Sequence, residues 1–186
     1  MFDAQCDLAA LVYGEDQDPD AILRDFAAEL NASGRRAVGM VQTGQCADSS
    51  LSAVLVHTGE VLLLAQPATS PGSGCKLDLN RLQDAATRVA GAMEAGADLV
   101  IVNRFGKRER DGKGLFRVIE RALGADIPVV IAVSSASFAD WIKFADGMSV
   151  KLACSREALE AWWSAVSARN GGLAGRDQPT FCEVFK

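Results

Sequence analysis

Residues 98–114 read Asp-Leu-Val-Ile-Val-Asn-Arg-Phe-Gly-Lys-Arg-Glu-Arg-Asp-Gly-Lys-Gly. The apolar, β-branched run at 99–102 predicts a strand buried on both faces that stops at the polar Asn103. Strands of that kind belong to parallel sheets covered by helices on both sides. The loop that follows sets Arg104, Lys107, Arg108, Arg110 and Lys113 against Glu109 and Asp111, a local +3 in a chain of formal net charge -5. A positive island on an acidic protein points to a small anionic ligand. The competing reading is a solvated loop with glycines at its turns.

Outward from this stretch, helices and strands alternate. Asp78 caps a predicted helix with the stripe Leu79, Leu82, Ala86, Val89, Ala90 and Met93, and Gly96 ends it. On the other side Leu115, Phe116, Val118, Ile119, Ala122 and Leu123 form an amphipathic helix closed by Gly124, before a second buried strand at 127–133 with Pro128 near its start. Near the N-terminus a strand at 8–13 breaks at Gly14. Asp18 is placed as an N-cap with Pro19 in the first helical position, where its missing N–H costs nothing. Ile22, Leu23, Phe26, Ala27 and Leu30 give that helix one apolar face, Gly34 stops it, and 37–41 is the next strand, completing a β-α-β unit with a right-handed crossover.

Residues 53–57 and 60–65 flank Thr58-Gly59 and predict a β-hairpin. Towards the C-terminus, Ser137 caps a short helix carrying Phe138, Trp141 and Ile142, residues 148–152 form a short edge strand, and Ser155 opens a last helix with Leu159, Trp162, Trp163 and Val166 before Gly171-Gly172. The tryptophans sit on helical apolar faces and are read as core, with part of the Trp162-Trp163 pair at an interface as the other option. The whole is a three-layer α/β fold with a mainly parallel sheet and a β-hairpin insertion. A single domain at 1–172 is expected, with residues 173–186 as a C-terminal tail docked on it through Phe181, Val184 and Phe185.

Composition excludes several function classes. A pI near 4.9 leaves no basic stripe to displace counterions, so nucleic acid is not an expected partner. No apolar run is long enough to span a bilayer, and Asp3 and Asp7 stand where a signal peptide would be basic, so a cytoplasmic protein is expected. The five cysteines are scattered and never form C-x-x-C, which predicts reduced thiols and neither a disulfide framework nor a zinc site. His57 is the sole histidine, so a histidine metal cluster or Ser-His-Asp triad would rest on it alone, and hairpin packing is the simpler role.

In an open parallel sheet, ligands sit at the carboxyl ends of the strands. Residues 14–18, 43–46 and 103–113 all fall there. Asn103, Arg104, Lys107, Gly112 and Lys113 are therefore the candidate ligand-binding residues, with the lysines as anion ligands and Gly112 and Gly114 permitting close backbone approach. Glu109 is a candidate for proton transfer, or else a surface partner for a neighbouring arginine. Cys75, between Gly74 and Lys76 and just before the Asp78 cap, is a candidate nucleophile or soft-metal ligand, or else a buried structural thiol. The residues do not identify a cofactor.

This order of elements, with Gly74-Cys75-Lys76-Leu77-Asp78, Asn103-Arg104-Phe105-Gly106-Lys107, Glu109 and Gly112-Lys113-Gly114-Leu115, resembles the P-loop NTPase class. Within that class the chain is similar to small nucleoside-triphosphatases, to the GTP-binding accessory protein of molybdopterin dinucleotide synthesis, and to an uncharacterised bacterial family of P-loop-like proteins. The resemblance implies nucleotide or phosphate binding, with a link to molybdenum transport or cofactor handling. One motif departs from the pattern. A Walker A loop reads G-x-x-x-x-G-K-[ST]. Here Gly14-Glu15-Asp16-Gln17-Asp18-Pro19-Asp20-Ala21 has Pro19 for the second glycine, Asp20 for the lysine and Ala21 for the hydroxyl residue.

Glu15, Asp16, Asp18 and Asp20 place four carboxylates where a phosphate would sit. Two like charges ~4 Å apart repel by roughly 4 kcal/mol at an effective dielectric of 20, enough to cancel much of a phosphate cradle. Asn103 also stands where a Walker B aspartate would hold Mg²⁺. The degenerate loop (Gly14, Asp16, Asp18, Asp20) then has three readings: a Mg²⁺ or Ca²⁺ site, a helix start with dipole-matched acids, or a partner for the basic loop. The last would close the site on itself or pair two copies as a homo-oligomer. Two functions follow as alternatives: a P-loop-like protein binding a small anion (nucleotide, phosphorylated cofactor or molybdate-type oxyanion), or a non-catalytic oligomerising or partner-binding protein.

Overall fold

The computed structural model describes residues 6–43, 51–66 and 76–173. Seven strands, β1 (Leu8–Tyr13), β2 (Ala37–Thr43), β3 (Ser52–Leu55), β4 (Val61–Leu63), β5 (Leu99–Arg104), β6 (Val129–Ser134) and β7 (Val150–Ala153), make one sheet in the order β4-β3-β2-β5-β6-β1-β7. β2, β5, β6, β1 and β7 run parallel, and the β3–β4 hairpin adds two antiparallel strands beside β2. The helices among the described residues are α1 (Pro19–Ala32), α2 (Leu79–Glu94), α3 (Lys107–Arg110), α4 (Phe116–Gly124), α5 (Phe138–Ala145) and α6 (Arg156–Leu173).

Side-chain alternation along the strands divides the core in two. Leu8 and Ala10, Val38 and Met40, Val100 and Val102, and Val129, Ile131 and Val133 pack under α2, α4 and α5. Their neighbours Ala9 and Leu11, Ala37 and Val41, Leu99 and Ile101, and Val130 and Ala132 pack under α1 and α6. Burial on both faces is why these strands read as unbroken apolar runs. Trp141 is enclosed in the first layer, edge-on to Phe105 at 5.1 Å, and its indole N–H donates to Ser149 Oγ at 3.2 Å. Trp162 is enclosed in the second and donates to Cys6 O at 2.9 Å, while Trp163 is half-buried.

Local chemistry sets the boundaries. Asp18 caps α1 by accepting from the N–H groups of Asp20 and Ala21 at 3.1 Å, with Pro19 in the first turn. Asp78 caps α2 through Asn80 N at 3.0 Å and Arg81 N at 3.2 Å. β7 is an edge strand as expected, at Val150–Ala153 rather than 148–152. Ser137 holds the N-cap position of α5 without a side-chain bond to it; its own N–H instead donates to Ser134 Oγ at 3.2 Å, closing a 3₁₀ turn. The last helix runs through Gly171-Gly172 to Leu173. His57 lies in the β3–β4 turn, half-buried with Nδ1 unpartnered, and burial pushes its pKa down. This end of the hairpin adjoins the start of β2, at the sheet edge opposite the candidate site.

One irregularity positions the site. Val102 pairs with Ile131, but Arg104 pairs with Ala132, so Asn103 is an extra residue in β5. Such a bulge rephases the strand. Unbroken alternation would send Arg104 to the same side as Val100 and Val102. The bulge sends it to the α1 side instead and returns Phe105 to the aromatic cluster under α5.

Candidate functional site

The carboxyl ends of β1, β5 and β6 and the amino ends of α1, α2 and α4 share one edge of the sheet. The turn after β1 is bonded to itself. Gly14 N–H donates to Gln17 Oε1 at 2.9 Å, Gln17 N–H donates to Gly14 O at 3.3 Å, and the Asp18 carboxylate takes the first free amides of α1. The N–H groups of Gly14, Asp20 and Ala21 are thus taken by Gln17 and Asp18. Asp20, where the pattern would have a lysine, accepts from Arg104 through Nη2 at 2.6 Å and Nε at 3.4 Å. Arg104 also lies 5.4 Å from the Tyr13 ring centroid, a cation-π distance. The acidic and basic segments therefore meet within the chain.

Glu15, Asp16 and Asp18 are exposed, and among the described residues no three carboxylate, thiol or imidazole groups converge as metal ligands would. Asn103 contributes the bulge in β5. Cys75 and Gly74 lie outside the described residues, as do residues 174–186 of the tail.

Past β5, the segment expected to be a loop contains the helical turn α3, built around Glu109. This side chain is 6% exposed, not a surface ion partner. Its Oε2 accepts from Gly106 N–H and its Oε1 from Leu115 N–H, both at 3.1 Å. Burial raises its pKa, opposed by those amides and by Arg108. Both oxygens are engaged in holding together the two ends of the 106–115 segment. Gly114 belongs to the same lock: its φ is +60°, and a Cβ there would lie 2.3 Å from Glu109 Oε1.

That clasp fixes where the remaining cations go. Arg110 pairs with Asp140 of α5 at 2.5 Å, and Arg104 is held by Asp20. Lys107, Arg108 and Lys113 make no ion pair with any described residue. Arg108 and Lys113 line a cleft of about 340 Å³ with Arg117, whose described acidic partner is Glu120 on the exposed surface of α4 at 3.3 Å. Gly112 and Gly114 also line it, together with Leu79, Leu82 and Gln83 of α2. Of the five ligand-binding candidates, Gly112 and Lys113 line this cleft and Arg104 and Lys107 do not, while the side chain of Asn103 lies outside what the structure describes. Arg117 was not legible as a member, although it stands four residues after Lys113 at a helix start; Arg108 was visible only as one charge of the island.

A parallel sheet between two helical layers, with the β1–α1 turn and the end of β5 at one carboxyl edge, has the architecture of a P-loop NTPase-like domain. The chain belongs to the DUF2478 family, described as a protein of unknown function, whose profile matches residues 8–162. Over 166 residues it is 37% identical to the Molybdenum import ATP-binding protein ModC 2 of Bradyrhizobium diazoefficiens, an alignment covering 87% of this chain and 18% of that protein. The chain therefore spans under a fifth of that relative's length. No solved structure matches it.

Proposed function

We propose that this is a P-loop-like protein of molybdenum or cofactor handling in the cytoplasm, binding a small anionic ligand in the cleft of Arg108, Lys113 and Arg117. Nucleotides, phosphorylated cofactors and molybdate-type oxyanions form the ligand class. The observation that carries the reading is that two of these three cations, Arg108 and Lys113, face the cleft with no ion-paired acid among the described residues, while Arg104 and Arg110 are neutralised. The β1–α1 turn is on this view a degenerate Walker A loop, its amides taken by Gln17 and Asp18. The name of the Bradyrhizobium relative supports the link to molybdenum.

Calorimetric titration and thermal shift with phosphate, molybdate and Mg-ATP test it. Anions are expected to raise the melting temperature, with affinity falling as salt is added. Lys113→Ala/Arg117→Ala should weaken binding by about 100-fold, since each lost charge-assisted hydrogen bond is worth roughly 1.5 kcal/mol or more. No response to any anion would overturn the reading, as would Mg-ATP turnover abolished by substitution of Asp16 or Asp20.

A second reading, docking of a partner or another copy of the chain, is favoured by the outermost strand β4, where Val61 is 62% and Leu63 48% exposed. Light scattering should then show an oligomer; a monomer across the accessible concentration range would count against self-association.

A further inference from the structure

The two edges of the sheet differ in chemistry. β7 interrupts its apolar residues with the exposed Lys151, a charge that discourages pairing with another chain. β4 reads Val61-Leu62-Leu63 and carries neither charge nor proline. Leu55 N–H donates to Glu60 O at 2.9 Å and Leu64 N–H donates to Leu51 O at 2.8 Å, so Glu60 and Leu64 turn their backbone groups towards β3. Alternation turns those of Leu62 the same way and aims the N–H and C=O of Val61 and Leu63 outward. Of these outward groups, Leu63 C=O has one long contact, from Arg81 Nη1 at 3.4 Å. The side chain of Leu62 packs on the α2 side, whereas exposed Val61 and Leu63 lie with half-buried Val54, the β3 partner of Val61, on the opposite face. Beside this edge α2 runs antiparallel to β4: Arg81 reaches Leu63, and Arg88 donates to both oxygens of Glu60 at 2.7 and 2.8 Å. Asp84 stands between the two arginines near the level of Leu62, exposed and without an ion pair to any described residue.

Resting on the docking reading of β4 above, we infer that the occupant is a second copy of this chain, its β4 antiparallel to the first about a two-fold axis at Leu62. A register centred there uses every outward group of both strands, because Val61 of each copy exchanges two hydrogen bonds with the partner's Leu63. The side chains of those pairs cover each other on the open face. On the other face the two α2 helices lie side by side in opposite directions, and each Asp84 falls between Arg81 and Arg88 of the other copy. A row of charges that runs positive, negative, positive is thus its own complement.

Sedimentation equilibrium and cysteine cross-linking of the full chain test this. Wild type should be a dimer that weakens with salt, and Asp84→Arg should raise its dissociation constant by about 10-fold or more. Val61→Lys/Leu63→Lys sets like charges opposite each other at exposed positions and should leave a monomer that circular dichroism shows to be folded. Leu62→Cys puts a thiol from each copy at the non-hydrogen-bonded pair on the axis, with Cα atoms ~4.5 Å apart and within reach of a disulfide. With diamide as oxidant it should cross-link well beyond wild type. Val61→Cys and Leu63→Cys, each roughly 7–8 Å from its own copy across the diagonal, should not. A dimer that Val61→Lys/Leu63→Lys dissociates but Leu62→Cys does not cross-link overturns this pairing and leaves docking at β4 standing. A wild-type monomer at every concentration also overturns it and leaves only a different partner for β4. A dimer indifferent to Val61→Lys/Leu63→Lys places the contact elsewhere and overturns both.

Discussion

Gly39→Ala is expected to cost about 2–6 kcal/mol or more, a large share of the roughly 5–15 kcal/mol that holds a domain together. Gly39 sits in β2 opposite Ile101 of β5, at the centre of the sheet. Its φ is +141°, a region L-residues rarely adopt, and a Cβ built there would lie 1.9 Å from the Ile101 carbonyl oxygen and 2.7 Å from its carbon. Both atoms are backbone, so no rotamer change relieves the overlap. Strain of about 1–3 kcal/mol for the dihedral adds to about 1–3 kcal/mol or more for overpacking, and relief would require β2 and β5 to separate. The carbonyl of Gly39 also accepts from Val56 N–H at 3.0 Å, so movement of β2 would disturb the hairpin as well. Chemical denaturation should place the variant's midpoint far below wild type. An unchanged midpoint would mean that the β2–β5 approach is not as close as described.

Glu109→Ala is the second large effect, and it joins stability to the cleft. The substitution leaves the buried Leu115 N–H and the part-buried Gly106 N–H without acceptors. At about 1–3 kcal/mol for each unsatisfied group, a loss of roughly 2–6 kcal/mol is expected. Anion affinity should fall with it, although Glu109 touches no ligand, because Arg108 and Lys113 are held in place by the segment it clasps. Glu109→Gln keeps one acceptor oxygen but turns an amide group towards the other N–H, so it should retain part of the stability.

Wild type and Glu109→Gln also separate by pH. The folded pKa of Glu109 is raised above its ordinary 4.5, chiefly by burial. The folded state therefore binds the proton more readily than the unfolded chain. Stability from this group is fully present below 4.5 and declines as pH rises through the folded value. Denaturation midpoints measured across that window should fall for wild type relative to Glu109→Gln, in which the group does not titrate. Parallel profiles would mean that burial does not govern this carboxyl.

The fold was legible where local and long-range preferences agreed. Asp18-Pro19 and Asp78 are strong helix starts in any context, and residues 99–102 and 129–133 are too apolar for any place but a covered sheet. The site was legible only in part. The bulge at Asn103 depends on how two strands pair, which no period within one strand reveals, so the side on which Arg104 would emerge was undetermined. The turn at Lys107–Arg110 is four residues long, too short to carry a period. Glu109 looked like a surface charge because its neighbours in sequence are arginines; its actual partners are backbone amides, which carry no sequence signal. Pairing of the acidic and basic segments was foreseeable as an option from their opposite charges, and Asp20–Arg104 realises it.

The bulge at Asn103 gives the end of β5 a phase that can be set independently of its length in the core. Residues before it answer to packing and those after it to the edge, and the single added residue decides which side each of the latter faces. A cation and an aromatic, Arg104 and Phe105, leave the strand on opposite sides because of it: one becomes a strut to α1, the other a wedge under α5. Shortening the strand there by one residue would exchange their destinations, sending a guanidinium among the aromatic rings and a phenyl ring against the carboxylate of Asp20. In this fold, one residue of length is therefore worth a change of layer.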